Sequence, residues 1–173
     1  MLILEDGSIV PNANTVVEVA EFREFMQARM YDTSSMSDDK VSAYLIRAAD
    51  YLLYLNYVGL RASATQDFPF PRSGVYLEDD RLLPVSAIPV DLKRAQIWLT
   101  FYLGIKDIDL SAAPVDRVVR EKIDVLEIEY SRSGSNTKTF ALALLDLPNV
   151  EMCLRYLIRG NGESIGNGRI DRA

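Results

Sequence analysis

The chain has 173 residues, 49% of them hydrophobic, which is enough for about one domain with a sizeable core and no need of covalent staples. Nineteen basic against twenty-five acidic residues give a formal net charge of −6, which argues against a protein whose main work is sequence-independent phosphate binding. Zero histidine removes the usual general base and the commonest transition-metal ligand, and one cysteine completes no zinc site.

Any catalysis would therefore rest on carboxylates, lysines or tyrosines. Cys153 lies in the apolar run VEMCLRYLI and reads as an inert buried thiol in a reducing environment. The start, MLILEDGSIVPNAN, lacks the basic residues and long apolar core of a signal peptide, and no window reaches the length of a membrane-spanning helix. The expectation is a soluble chain.

Residues 15–30, TVVEVAEFREFMQARM, open with a potential cap, Thr15, and place Val19, Phe22, Met26 and Met30 on one face of a first helix. Ser37 with Asp38 and Asp39 then signals a helix start. From Asp38 to about Tyr57, Val41, Leu45, Ala48, Leu52 and Leu55 form a helical stripe, ending near Gly59 as a left-handed cap.

Residues 60–89 hold four prolines, Pro69, Pro71, Pro84 and Pro89, with Gly74 and the acidic turn Glu78-Asp79-Asp80. They predict a long connection without regular structure, a kind of loop that is usually functional. A third helix starts at Pro89 or Val90 and runs to Leu103 or Gly104; its second half, with Trp98, Phe101 and Tyr102, is apolar on nearly all sides and predicts burial in a core or against another subunit. Residues 117–132 alternate in two phases and predict a β-hairpin or two short strands turning near Asp124-Val125. SRSGSNTK reads as a flexible link, and Pro148 to Ile158 as a last helix.

The fold class expected is mainly α: a small bundle of about four helices over residues 1–159, with a short hairpin and a long proline-rich loop. The end of the chain, 160–173, carries four of the nine glycines and reads as a tail that orders only on a partner.

Chemistry is sparse. GNGESIGNG lacks the strand, helix and Gly-Lys-Ser/Thr context of a phosphate loop. The pairs Asp38-Asp39 and Asp79-Asp80, with Asp107 and Asp109, read as helix starts and turns rather than as a cation site or acid/base couple. No catalytic residue, metal site or cofactor is expected. The best interleaving of cations and aromatics, the pattern of single-strand binding, is Arg61, Phe68, Phe70 and Arg72, although the same rings could simply pin the loop to the core.

The order of VVEVAEFREFMQAR, LIRAADYLL, PFPRSGVY, LPVSAIPVDLKRAQIWL and VVREKIDVLEIEY over residues 5–158 resembles the tailed-phage proteins known as DnaT-like single-stranded-DNA-binding proteins, some relatives of which look like head–tail connector adaptors. The most specific pieces are Pro71-Arg72-Ser73-Gly74-Val75 followed by Ile88-Pro89, and Glu121-Lys122-Ile123 leading to Glu129-Tyr130. The chain departs from the pattern in having Phe70-Pro71-Arg72 where the family usually has Trp-Pro-Arg, and in lacking a glycine in its acidic turn.

The resemblance implies a structural subunit of the virion, made in the host cytoplasm. It would form a homo-oligomeric ring of twelve copies between the portal protein and a tail or stopper protein, around passing double-stranded DNA. In that reading Phe68, Phe70, Pro71, Arg72, Gly74 and Tyr76 form a loop brace or subunit contact, and Ile165, Arg169, Ile170 and Arg172 anchor the tail to the portal or a neighbour. The alternative is a single-stranded-DNA-binding protein with Phe68, Phe70 and Tyr76 as stacking platforms.

Overall fold

A computed structural model describes residues 1–77, 79–106, 119–123, 126–130 and 147–159. The fold is mainly helical, with helices α1 (Val19–Gln27), α2 (Asp38–Leu53), α3 (Val90–Gly104) and α4 (Pro148–Leu154). Two small antiparallel sheets accompany them, β1 (Leu60–Arg61) with β2 (Arg72–Ser73), and β3 (Val119–Ile123) with β4 (Leu126–Tyr130).

The start of α2 follows its sequence signal: the Ser37 hydroxyl accepts from the Lys40 N–H, and Asp38 and Asp39 fill the first turn. Val41, Leu45, Ala48 and Leu52 are buried on one face, as their spacing requires. That face packs along α3, which also packs against α4. Contact with two helices explains why α3 can be apolar nearly all round, with Leu92, Ala95, Leu99 and Leu103 all inside.

The ends of α1 and the end of α2 differ from the sequence reading. Helix α1 begins at Val19 rather than at Thr15, because the Thr15 hydroxyl is buried and engaged elsewhere: it donates to the Val17 carbonyl and accepts from Gln96 Nε2. Met30 lies beyond the helix in a left-handed conformation (φ 59°) and is 95% exposed. Helix α2 stops at Leu53, and Gly59 caps nothing; it permits a close approach, since a Cβ there would lie 2.3 Å from the Ser73 carbonyl oxygen.

The second sheet has the expected hairpin register, with Val119 opposite Tyr130 and Ile123 opposite Leu126. The turn expected at Asp124-Val125, the link 131–138 and the tail with Ile165, Arg169, Ile170 and Arg172 lie outside the described residues. Helix α4 is shorter than the sequence reading by a turn; beyond it an antiparallel bridge between Tyr57 and Ile158 and a bond from the Val58 N–H to the Leu157 carbonyl tie the chain to the end of α2.

Candidate nucleic-acid interface

The proline-rich loop is held from inside. Gln66 is buried; its Nε2 donates to the carbonyls of Phe68 (2.8 Å) and Pro71 (3.1 Å), while its Oε1 accepts from the Ser63 N–H (2.9 Å). Arg72 spends its fork on main-chain oxygens: Nε on Val58 (2.7 Å), Nη1 on Pro69 (3.2 Å), Nη2 on Gly59 (2.8 Å) and, more weakly, Tyr57 (3.5 Å). Planar, fixed donors suit this work. Burial, and then the neighbouring charges of Arg61 and Arg159, pull the Arg72 guanidinium below its ordinary value.

Phe68 and Phe70 are both 0% exposed, and Phe70 meets the Tyr57 ring edge-on at 5.3 Å. Each such burial contributes about 1.5–3 kcal/mol. Neither ring can receive a base, so the stacking role that the single-strand reading gave them is corrected: the core claims them. Pro71 is buried, Gly74 takes φ +72°, and Tyr76 is 58% exposed, touching the rest of the chain through a backbone bridge to Leu82.

Partly exposed aromatics gather instead where Phe25 of α1 and Tyr31 beyond it meet the rings of α3. On α3, Trp98, Phe101 and Tyr102 stand three and four residues apart and therefore share a face. The left-handed Met30 closes α1, and the Tyr31 N–H returns to the Met26 carbonyl at 3.0 Å, an arrangement that ends a helix with a sharp change of direction. Tyr31 thereby lands with its ring 5.7 Å from Trp98 and 4.8 Å from Phe101. Phe25 meets Trp98 edge-on at 5.8 Å, and Tyr102 lies 6.2 Å away at 32°.

Phe101 is buried and forms the floor; Phe25, Trp98 and Tyr102 are half-buried, and Tyr31 is 41% exposed. Two exposed cations flank the cluster. The Arg29 guanidinium sits 3.4 Å over the Phe25 ring and donates to the Phe25 carbonyl, and Lys106 Nζ stands 6.0 Å from the Phe101 centroid. Among the described residues neither is in a salt bridge, whereas Arg23, Arg81, Lys93 and Arg94 all are. A surface of this kind offers π-faces to flat heterocycles and positive charge to phosphates.

The sequence reading placed Trp98, Phe101 and Tyr102 together but missed Phe25, Arg29, Tyr31 and Lys106. One signal was present: Phe25 and Arg29 are four apart on α1, the spacing of a helical neighbour pair. No cluster of carboxylates and cysteine among the described residues could hold a metal, and no described helix is long and apolar enough to cross a membrane.

A protein-family model described as "Putative DnaT-like ssDNA binding protein" matches the chain over residues 1–173. No curated protein and no solved structure matches it.

Proposed function

The chain belongs to the family of DnaT-like single-stranded-DNA-binding proteins, and from that membership we propose that it binds single-stranded DNA on the face formed by the end of α1 and α3. The observation that carries this reading is the joining of exposed or half-exposed aromatic rings, Tyr31 and Trp98 foremost, with Arg29 and Lys106, cations that are in no salt bridge among the described residues. Bases stack on the rings, and phosphates meet the two cations. A duplex hides its base faces, so this surface selects single strands.

Trp98 is the chain's one tryptophan, and its fluorescence reports directly on the face. Titration with oligothymidylate quenches it, and Tyr31→Ala weakens binding by about 1–3 kcal/mol, the usual worth of one stacked base. Unchanged fluorescence with no measurable binding, or wild-type affinity in Tyr31→Ala, sinks the proposal.

A ring-forming subunit at a phage head–tail junction is the second reading. It is favoured by exposed apolar side chains, Leu60, Leu82, Val90 and Met152 among them, which suit contacts between copies. The family description names single-stranded DNA and not a connector, which places it second. Ring-shaped particles in electron micrographs of the pure protein would raise it to first.

A further inference from the structure

Three arginines from three separate segments converge beside the proline-rich loop. Arg61 on β1 is the direct cross-strand partner of Arg72 on β2, so both side chains leave the same face of the ladder. Arg159 comes from the segment after α4. The bridge between Tyr57 and Ile158 fixes its main chain, and its own N–H donates to the Asn56 carbonyl at 2.7 Å. Arg72 Nη2 and Arg159 Nη2 both point to one oxygen, the Gly59 carbonyl, at 2.8 and 3.5 Å.

Like charges set directly opposite each other destabilise a strand pair. Here a third is added, in a chain of net charge −6 that has carboxylates to spare. Among the described residues no salt bridge reaches any of the three.

Their donors are unequally used. Arg72 is committed to the carbonyls of Tyr57, Val58, Gly59 and Pro69 and serves as a fixed positive base. Among the described residues, exposed Arg61 makes one side-chain hydrogen bond, Nη1 to the Gln66 carbonyl at 3.1 Å, and the Arg159 side chain makes only the long contact to Gly59. Most of their N–H groups have no partner among the described residues.

We infer that Arg61 and Arg159, backed by Arg72, form a binding site for a phosphate group. A phosphate brings opposite charge and several acceptor oxygens to paired guanidinium forks, the geometry in which charge-assisted hydrogen bonds are strongest. The site is built from the loop, β1 and the end of the described chain, shares no residue with the aromatic face, and does not depend on base stacking there. The phosphate is either a terminal monoester or a diester within a strand.

The test uses the full chain and two probes. Inorganic phosphate, titrated while the side-chain Nε–H resonances of Arg61 and Arg159 are followed by NMR, shifts both in wild type. Oligothymidylate with and without a 5′-phosphate is then titrated against wild type and Arg61→Gln/Arg159→Gln. Loss of about tenfold or more in the double variant for the 5′-phosphorylated strand alone identifies a terminal phosphate; equal loss for both identifies a backbone diester. Arg61→Gln alone, an exposed change, controls for any folding defect of the double variant and retains part of the loss.

Phosphate shifts at the two arginines without any oligonucleotide binding would leave this site standing and remove the single-strand proposal. Absence of phosphate shifts, with oligonucleotide affinity in both variants equal to wild type, overturns the site.

Discussion

Gln96 sits in the middle of an apolar helix, fully buried, and joins three segments of chain. Its Oε1 accepts from the Val16 N–H at 3.0 Å, while Nε2 donates to the Thr15 hydroxyl and the Leu45 carbonyl, each at 2.9 Å. Replacing it with leucine keeps the volume and deletes the acceptor, leaving a buried N–H without a partner. Such an orphan costs about 1–3 kcal/mol. Gln96→Leu should lower the free energy of unfolding by that amount, read as a lower urea midpoint with an unchanged m-value; an effect within about 0.5 kcal/mol would show that Val16 finds another partner. Nothing local in QIWLTFYLG reveals this role, because the partners lie 51 to 81 residues away in sequence. Arg72 was more legible: a lone guanidinium among prolines and phenylalanines has to find carboxylate or carbonyl oxygens, and it finds carbonyls. What the sequence could not reveal was the direction of Phe68 and Phe70, since burial and base stacking draw on the same residue types.

At the scale of elements, α2 was readable because its Ser37 cap and apolar stripe agree, and α3 because Pro89 marks its start and its apolar run has helical length, whereas α1 was overextended at both ends. Its stripe continues to Met30 in sequence, but the left-handed turn there outweighs the periodicity. The end of α2 carries two tyrosines whose ionisation is suppressed. Burial, then the charge of Glu151, pushes the Tyr51 hydroxyl up to about 12. Burial raises Tyr57 further, against a small opposing influence of Arg72, and its hydroxyl donates to the Leu52 carbonyl at 2.9 Å where the helix stops. In an unfolded chain both ionise near pH 10. Above that pH the unfolded state loses protons that the folded state keeps, so the stabilising contribution is complete below about pH 10 and declines as pH rises. A tyrosine that stays protonated across this window adds a slope of about −1.4 kcal/mol per pH unit. Urea unfolding between pH 8 and 11.5 should show the decline, and Tyr57→Phe, though less stable at pH 8, should show a flatter one. Equal slopes in the two proteins would mean that Tyr57 ionises freely in the folded state.

For the whole molecule, the net charge of −6 limits how any strand of DNA is held. Attraction comes from local cations, Arg29 and Lys106 at the aromatic face and Arg61 and Arg159 beside the loop, against the opposing net charge of the chain. Exposed acids such as Asp32, whose carboxyl is held low by the Ser34 N–H and hydroxyl, stand one residue from Tyr31 and sharpen that limit. Two to four phosphates neutralised on a single strand correspond to a slope of log affinity against log salt of about −1.4 to −2.8. Raising salt from 50 to 200 mM should then weaken oligothymidylate binding about 7- to 50-fold, far less than for a basic protein with many phosphate contacts. The aromatic face adds a second discriminant, because stacking survives salt and requires unpaired bases. Fluorescence titrations at the two salt concentrations, with single-stranded and duplex DNA of equal length, measure both effects. A much steeper slope, or duplex binding as tight as single-strand binding, would mean that charge alone holds the nucleic acid and that the aromatic face takes no part.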